Sequence, residues 1–381
     1  MLTLTFGHTV YSASIVLCAF MAGLGLGAYL WGHWADTVKD PLLVYGKIEI
    51  LIALLGTIIS FVIANFGPFY SWLNVFIPEV PFAQNLVKAI LAFFMVMLPA
   101  MLMGATLPIV SKYYVVEDEK IGTQIGLLYS INTLGAALGC LLTGYLLIPQ
   151  LGVLQAVLFG ACLNLLVGLG AVRVYEEANP EEKIDYKLPW PKFPKFVVEA
   201  DDKTWLAVSF LSGFTALAFQ VLWTRLLVFS ISSTVYAFSM MLAVFLLGIV
   251  IGSFLVITIL KLFSATRTIL AVLQAGVGIY AISSLFMIED IMSAPWNSYN
   301  LQNPVAAFIT YFKDSSALIL IPTILLGMCF PILTKNLAKK KDKVGSGAGQ
   351  IYAVNTLGAI LGSFIAGFIL LPMLGSQKSI A

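Results

Sequence analysis

The chain has 381 residues, of which 60% are hydrophobic and only 10% charged, with a formal net charge of +2. A water-soluble domain carries roughly 25% charged residues, and a mean hydropathy of +0.96 leaves too little polar surface to face water. That excludes a soluble enzyme, a nucleic-acid-binding module and a disordered chain. Apolar runs near the roughly 20 residues that cross a hydrocarbon core recur along the chain. With frequent glycine and no alternating polarity, they argue for helices and against a membrane barrel. The expected fold is all-α, a polytopic membrane helix bundle.

In chain order, Met1 to His8 is a nearly uncharged lead without the basic start of a cleavable signal peptide. Spans follow at about Tyr11–Trp34, Leu42–Phe66, Leu86–Val110, Ile125–Ile148 and Leu154–Val172. Pro99 and Pro108 predict a kink in the third. Arg173 to Lys203 is the one long polar stretch, with Glu176, Glu177, Glu181 and Glu182 before the Pro-rich LPWPKFP, and it reads as a linker. Five more spans follow, at about Thr204–Phe229, Val235–Leu262, Thr268–Ile288, Ala306–Leu333 and Gln350–Leu371, which makes about ten.

The two halves are copies. Leu128–Gly152 and Ile351–Gly375 are identical at 13 of 25 positions without a gap, at a constant offset of 223. The matches are mostly small or polar: Tyr129/Tyr352, Asn132/Asn355, Gly135/Gly358, Gly139/Gly362, Gly144/Gly367 and Pro149/Pro372. The likeness extends to Gly23/Gly248, Gly27/Gly252, Gly104/Gly327 and Pro108/Pro331. Such a period marks an internal repeat, which divides the chain into 1–174, a linker at 175–203, and 204–381. The parent unit has six spans. The alignment leaves the span at Trp205–Phe229 without a counterpart before Met1, and the span at Leu154–Val172 without one after Ala381. An even-numbered unit repeats in parallel orientation. Lys and Arg gather in loops 112–120, 173–203, 261–267 and 335–343, whereas 67–85, 149–153 and 289–303 hold none. The positive-inside rule places the first group, with the linker, in the cytoplasm.

Three groups of residues carry a resemblance. They are Tyr-x-x-Asn-Thr-Leu-Gly-Ala at Tyr129 and Tyr352 with Ile148-Pro149 or Leu371-Pro372 at the exit, Met103-Gly104-Ala105-Thr106-Leu107-Pro108, and Phe219-Gln220-Val221-Leu222-Trp223-Thr224-Arg225. Together they resemble the membrane region of bacterial proteins that fuse a transporter-like bundle to a spermidine-synthase-like domain. Gly32 and Ala35-Asp36 faintly resemble the short loop signature of major facilitator transporters. The resemblance implies a facilitator-like bundle lacking its first and last helices, in a bacterial cytoplasmic (inner) membrane, and a polyamine-like metabolite. It also implies a soluble aminopropyltransferase-like domain, but this chain shows no acidic, Gly-rich nucleoside pocket.

Glu49 lies about seven residues into the second span, where an ionised carboxylate is costly in hydrocarbon. The repeat sets Gln274 against it. It reads as a cation- or proton-binding group in a cavity between the halves, or as an interhelical hydrogen bond. Asn132 and Asn355 either tie helices together or line a substrate path. Gln220 and Arg225, beside Trp223, read as an outer gate or anion site, or as an interfacial Trp and a snorkelling Arg. Asp36 is a gating candidate, or else caps or braces the loop after the first span. Gly23/Gly27, Gly135/Gly139, Gly248/Gly252 and Gly358/Gly362 have small-xxx-small spacing for close helix packing.

Gly23-x-Gly25-x-Gly27 lies within a span and is no dinucleotide fingerprint. Lys339–Gly349 has no preceding strand and reads as a helix entry, not a phosphate loop. Cys18, Cys140, Cys162 and Cys329 read as buried packing residues. His8 and His33 have no partner at ligand spacing, so no metal, cofactor or catalytic set is expected. The lipid bilayer is the expected partner, with a soluble spermidine-synthase-like domain or other membrane subunits beside it. Three functions compete: a transporter-like bundle for a small, cationic metabolite; a non-catalytic anchoring subunit; and the membrane part of an aminopropyltransferase.

Overall fold

The computed structural model describes residues 10–65, 67, 81–180, 202–231, 234–262, 266–293, 303–338 and 343–380. The lead to His8, the loop centred on 68–80, most of the linker (181–201) and the basic run at 339–342 lie outside the described residues. Every regular element among the described residues is helical. The main ones are α1 (Val10–Ala35), α2 (Pro41–Ala64), α3 (Pro81–Tyr114), α4 (Ile121–Leu142), α5 (Val153–Ala178), α6 (Asp202–Ile231), α7 (Val235–Leu262), α8 (Thr266–Ser293), α9 (Pro304–Ser315), α10 (Ile321–Leu337), α11 (Val344–Ile365) and α12 (Leu371–Ile380). Among the described residues nine helical runs are long and apolar enough to cross a membrane, and α1 is a further helix of 26 residues.

Local chemistry sets several of the helix ends. Pro41 and Pro304 stand in the first turns of α2 and α9, where a missing N–H costs nothing and φ is already helical. The Asn303 side chain caps α9 by accepting from the backbone N–H of Val305 (2.9 Å) and Ala306 (3.3 Å). α3 runs unbroken through Pro99 and Pro108.

The duplication is written into the backbone. α4 continues through a π-helical segment at Thr143–Leu147, and α11 through one at Ala366–Leu370. Gly152 and Gly375 both take positive φ, 83° and 74°, a conformation that a Cβ penalises. Each of these pairs keeps the 223-residue offset.

Contacts group the helices into two compact units. One holds α1, α2, α3, α5 and α11 as far as Thr356; the other holds α4, α6 to α10, the rest of α11 and α12. In the first unit α1 lies against α3, and α2 against both α3 and α5. Its core includes Trp31, Ile48, Ile52, Leu102, Ala105 and Ile109. In the second, α7 packs on α4 and α10, and the core gathers Leu222, Trp223, Leu227, Met240 and Leu318.

The helix seams repeat as well. A Cβ on Gly27 would strike the backbone of Met101, and one on Gly104 the backbone of Leu24. Their counterparts behave alike: Gly252 meets Ile324, and Gly327 meets Ile249. Without hydrophobic drive between helices in lipid, such close backbone approach is what dispersion forces need.

Candidate functional site

Asp36 follows α1 in a turn. Its carboxylate accepts the backbone N–H groups of Gly345 (2.8 Å) and Ser346 (2.9 Å) at the start of α11. Those N–H groups have no carbonyl partner within their own helix, and the positive end of the helix dipole favours an anion there. Glycine permits the approach: a Cβ on Gly32 would lie 2.7 Å from the carbonyl oxygen of Gly345. Burial raises the Asp36 carboxyl above the ordinary aspartate value, while the Ser346 and Gly345 hydrogen bonds and the charge of Lys112 pull the other way.

The same seam continues inward from Asp36. His33 Nδ1 lies 3.1 Å from the Tyr29 carbonyl oxygen, and its Nε2 lies 3.1 Å from the amide nitrogen of Gln350. That arrangement puts the ring proton on Nδ1, with Nε2 accepting from Gln350. The glycines at 345 and 349 form a helix entry, and Gly349 packs on the Ala28 carbonyl.

Glu49 in α2 is only 9% exposed. The Tyr45 hydroxyl, one turn earlier, is its hydrogen-bond partner. Ile48 and Ile52 on either side belong to the apolar core shared with α3. Among the described residues no Lys, Arg or His forms an ion pair with it. Lys47 points instead into a groove between α2 and α5.

In the second unit Gln274 is half-buried on α8 and donates through Nε2 to the Cys329 sulfur at 3.5 Å. Gln220 is half-buried on α6 and Arg225 exposed. Trp223, between them, is no interfacial anchor: it is wholly buried and donates its indole N–H to the Ser284 hydroxyl at 3.2 Å. Asn132 is exposed on α4, whereas Asn355 is half-buried on α11. Cys162 is exposed on α5, in contrast to the burial expected of all four cysteines. No group of three or more His, Cys, Asp or Glu that could hold a metal occurs among the described residues.

The paired glycine stripes differ in their surroundings. A Cβ on Gly23, Gly27, Gly248 or Gly252 would meet a neighbouring helix, and one on Gly358 or Gly362 would meet the Phe210–Phe214 backbone of α6. A Cβ on Gly135 or Gly139 would find nothing within 4 Å.

Comparison with known proteins agrees with this architecture. The family model described as Major Facilitator Superfamily matches residues 1–363. The chain belongs to that superfamily, and is thus a multi-pass membrane protein of the facilitator transporter kind.

Among solved structures, a bacterial homologue of the iron transporter ferroportin in its outward-facing state superposes with a TM-score of 0.58 at 16% identity. That match covers 100% of this chain and 88% of the other. FucP, a facilitator transporter in the outward conformation, gives 0.53 at 12% identity, with 99% and 88% covered. The human organic anion transporter MFSD10 gives 0.52 at 11% identity, with 100% and 84% covered. At these identities the likeness is one of fold. No curated protein matches the chain.

Proposed function

We propose that the chain carries a small cationic metabolite across a bacterial cytoplasmic membrane, and that Glu49 is the group that meets the positive charge. The observation behind this reading is a buried carboxylate hydrogen-bonded by Tyr45 with no cationic side chain paired to it among the described residues. In a membrane helix such a group is kept for a purpose, since its desolvation is expensive. The fold does not choose the cargo, because the structural neighbours are described as handling iron and organic anions.

The motif resemblance to spermidine-synthase fusions makes a polyamine the first cargo to try. Gln274, Asn132, Asn355, Gln220 and Arg225 complete the proposed set of polar groups serving the cargo, and Asp36 acts as a gate by holding or releasing the first turn of α11. In this reading residues 1–174 and 204–381 are the duplicated units, joined by a cytoplasmic linker at 175–203.

The test is spermidine binding by the purified chain, with Glu49→Gln as the probe. The variant is isosteric, so folding is retained, and affinity is expected to fall by about tenfold or more, the worth of one charge-assisted contact. Unchanged affinity would sink the carboxylate role.

A second reading is an anchoring subunit for a soluble spermidine-synthase-like domain or for other membrane subunits. The open flank at Gly135 and Gly139 favours it. A clean monomer after purification without denaturant would contradict it.

A further inference from the structure

α2 and α5 come closest where Gly46 and Gly168 face each other: a Cβ on either would lie 2.8 Å from the other's carbonyl oxygen. Beside this crossing the helices leave a cavity of about 500 Å³. Leu169 and Val172 form part of its wall, and Lys47, Arg173, Glu176 and Glu177 bring charge to it. A simple anion or cation would meet a like charge at this rim. A zwitterion would meet an opposite charge at each end.

The individual groups sharpen that match. Arg173 donates through Nε to Glu177 at 3.0 Å, which leaves its two terminal nitrogens for a second partner. A guanidinium fork is shaped to take a phosphate. Glu176 forms no ion pair among the described residues. It stands in the last turn of α5, where the negative end of the helix dipole opposes it and an added cation would relieve it.

Next to the charged rim the surface turns apolar. Leu169, Leu166 and Leu163 on α5 are 51%, 60% and 47% exposed. From Leu169 at the groove they step back along α5 for fewer than two turns, about 9 Å. From Glu176 to Leu169 is about 10 Å along the axis, at 1.5 Å per residue. Charged groups and apolar track therefore come in the order in which a lipid presents headgroup and acyl chain.

We propose that the α2–α5 groove binds a phospholipid with a primary ammonium headgroup, of the phosphatidylethanolamine class. Arg173 takes the phosphate, Glu176 the ammonium, and the leucine track one acyl chain. Lys47 adds positive potential on the phosphate side. The site is separate from Glu49 and does not depend on the proposed cargo.

The experiment reconstitutes the full chain in nanodiscs of equal parts dioleoyl phosphatidylethanolamine, phosphatidylglycerol and phosphatidylcholine. Lipids retained after release into detergent are then counted by native mass spectrometry. The ethanolamine lipid is expected to exceed each of the others about fivefold, reflecting charge-assisted hydrogen bonds that only a primary ammonium beside a phosphate supplies. Arg173→Ala and Glu176→Gln, both at exposed positions, are each expected to bring the ratio to about one with the melting temperature unchanged.

Equal retention of the three lipids, no retained lipid, or a preference surviving in either variant would overturn the proposal. Displacement by soluble glycerophosphoethanolamine at matched concentration would also overturn it, since the acyl track would then contribute nothing.

Discussion

Asp36 joins two helix ends separated by 309 residues of sequence. The carboxylate stands where two backbone N–H groups have no other partner, yet burial outweighs those hydrogen bonds and raises its proton affinity above that of free aspartate. The sign of the pH effect follows. A group whose folded pKa is raised contributes stability below its unfolded pKa, and that contribution is lost as pH climbs through the folded value. Asparagine keeps one acceptor and does not titrate. The melting temperature of the wild type minus that of Asp36→Asn is therefore expected to decline as the pH rises above the ordinary aspartate value of about 4. A flat or rising difference would refute the assignment. Asp36 was legible as a special residue, but its partner was not, because no local pattern announces a contact with the far end of the chain. Trp223 misled for a related reason: a Trp near a helix end fits a membrane interface equally well, and only the fold reveals the Ser284 hydroxyl that satisfies it.

At the level of elements, apolar run length carried most of the information. A helix in lipid must satisfy its backbone internally, so continuous hydrophobicity outlines each span; most helices extend it by a few residues, whereas α7 keeps the expected bounds and α2 ends at Ala64. The π segments at Thr143–Leu147 and Ala366–Leu370 left no mark of their own beyond the repeat that contains them. Glycine spacing was readable, but not which stripe would be filled. That difference is testable, because Gly362 and Gly139 are equivalent in sequence and unlike in surroundings. Gly362→Leu should drive a side chain into the Phe214 backbone and destabilise the fold by about 1–3 kcal/mol or more. Gly139→Leu should change stability by no more than about 0.5 kcal/mol. Thermal or denaturant unfolding in detergent measures both, and equal losses would mean that the two stripes have like neighbours.

For the whole molecule, one duplication accounts for the paired prolines, the paired positive-φ glycines, the paired π segments and the matching glycine seams, and the superfamily match spans nearly all of it. The fold was readable because duplication and hydropathy are both properties of sequence. The function was less so, since a buried carboxylate such as Glu49 does not name a molecule. The most direct measurement is uptake of labelled spermidine by proteoliposomes holding the purified chain. The account predicts accumulation above protein-free liposomes that Glu49→Gln reduces to background. Wild-type vesicles no better than empty ones, or a Glu49→Gln variant that transports as well as the wild type, would contradict it.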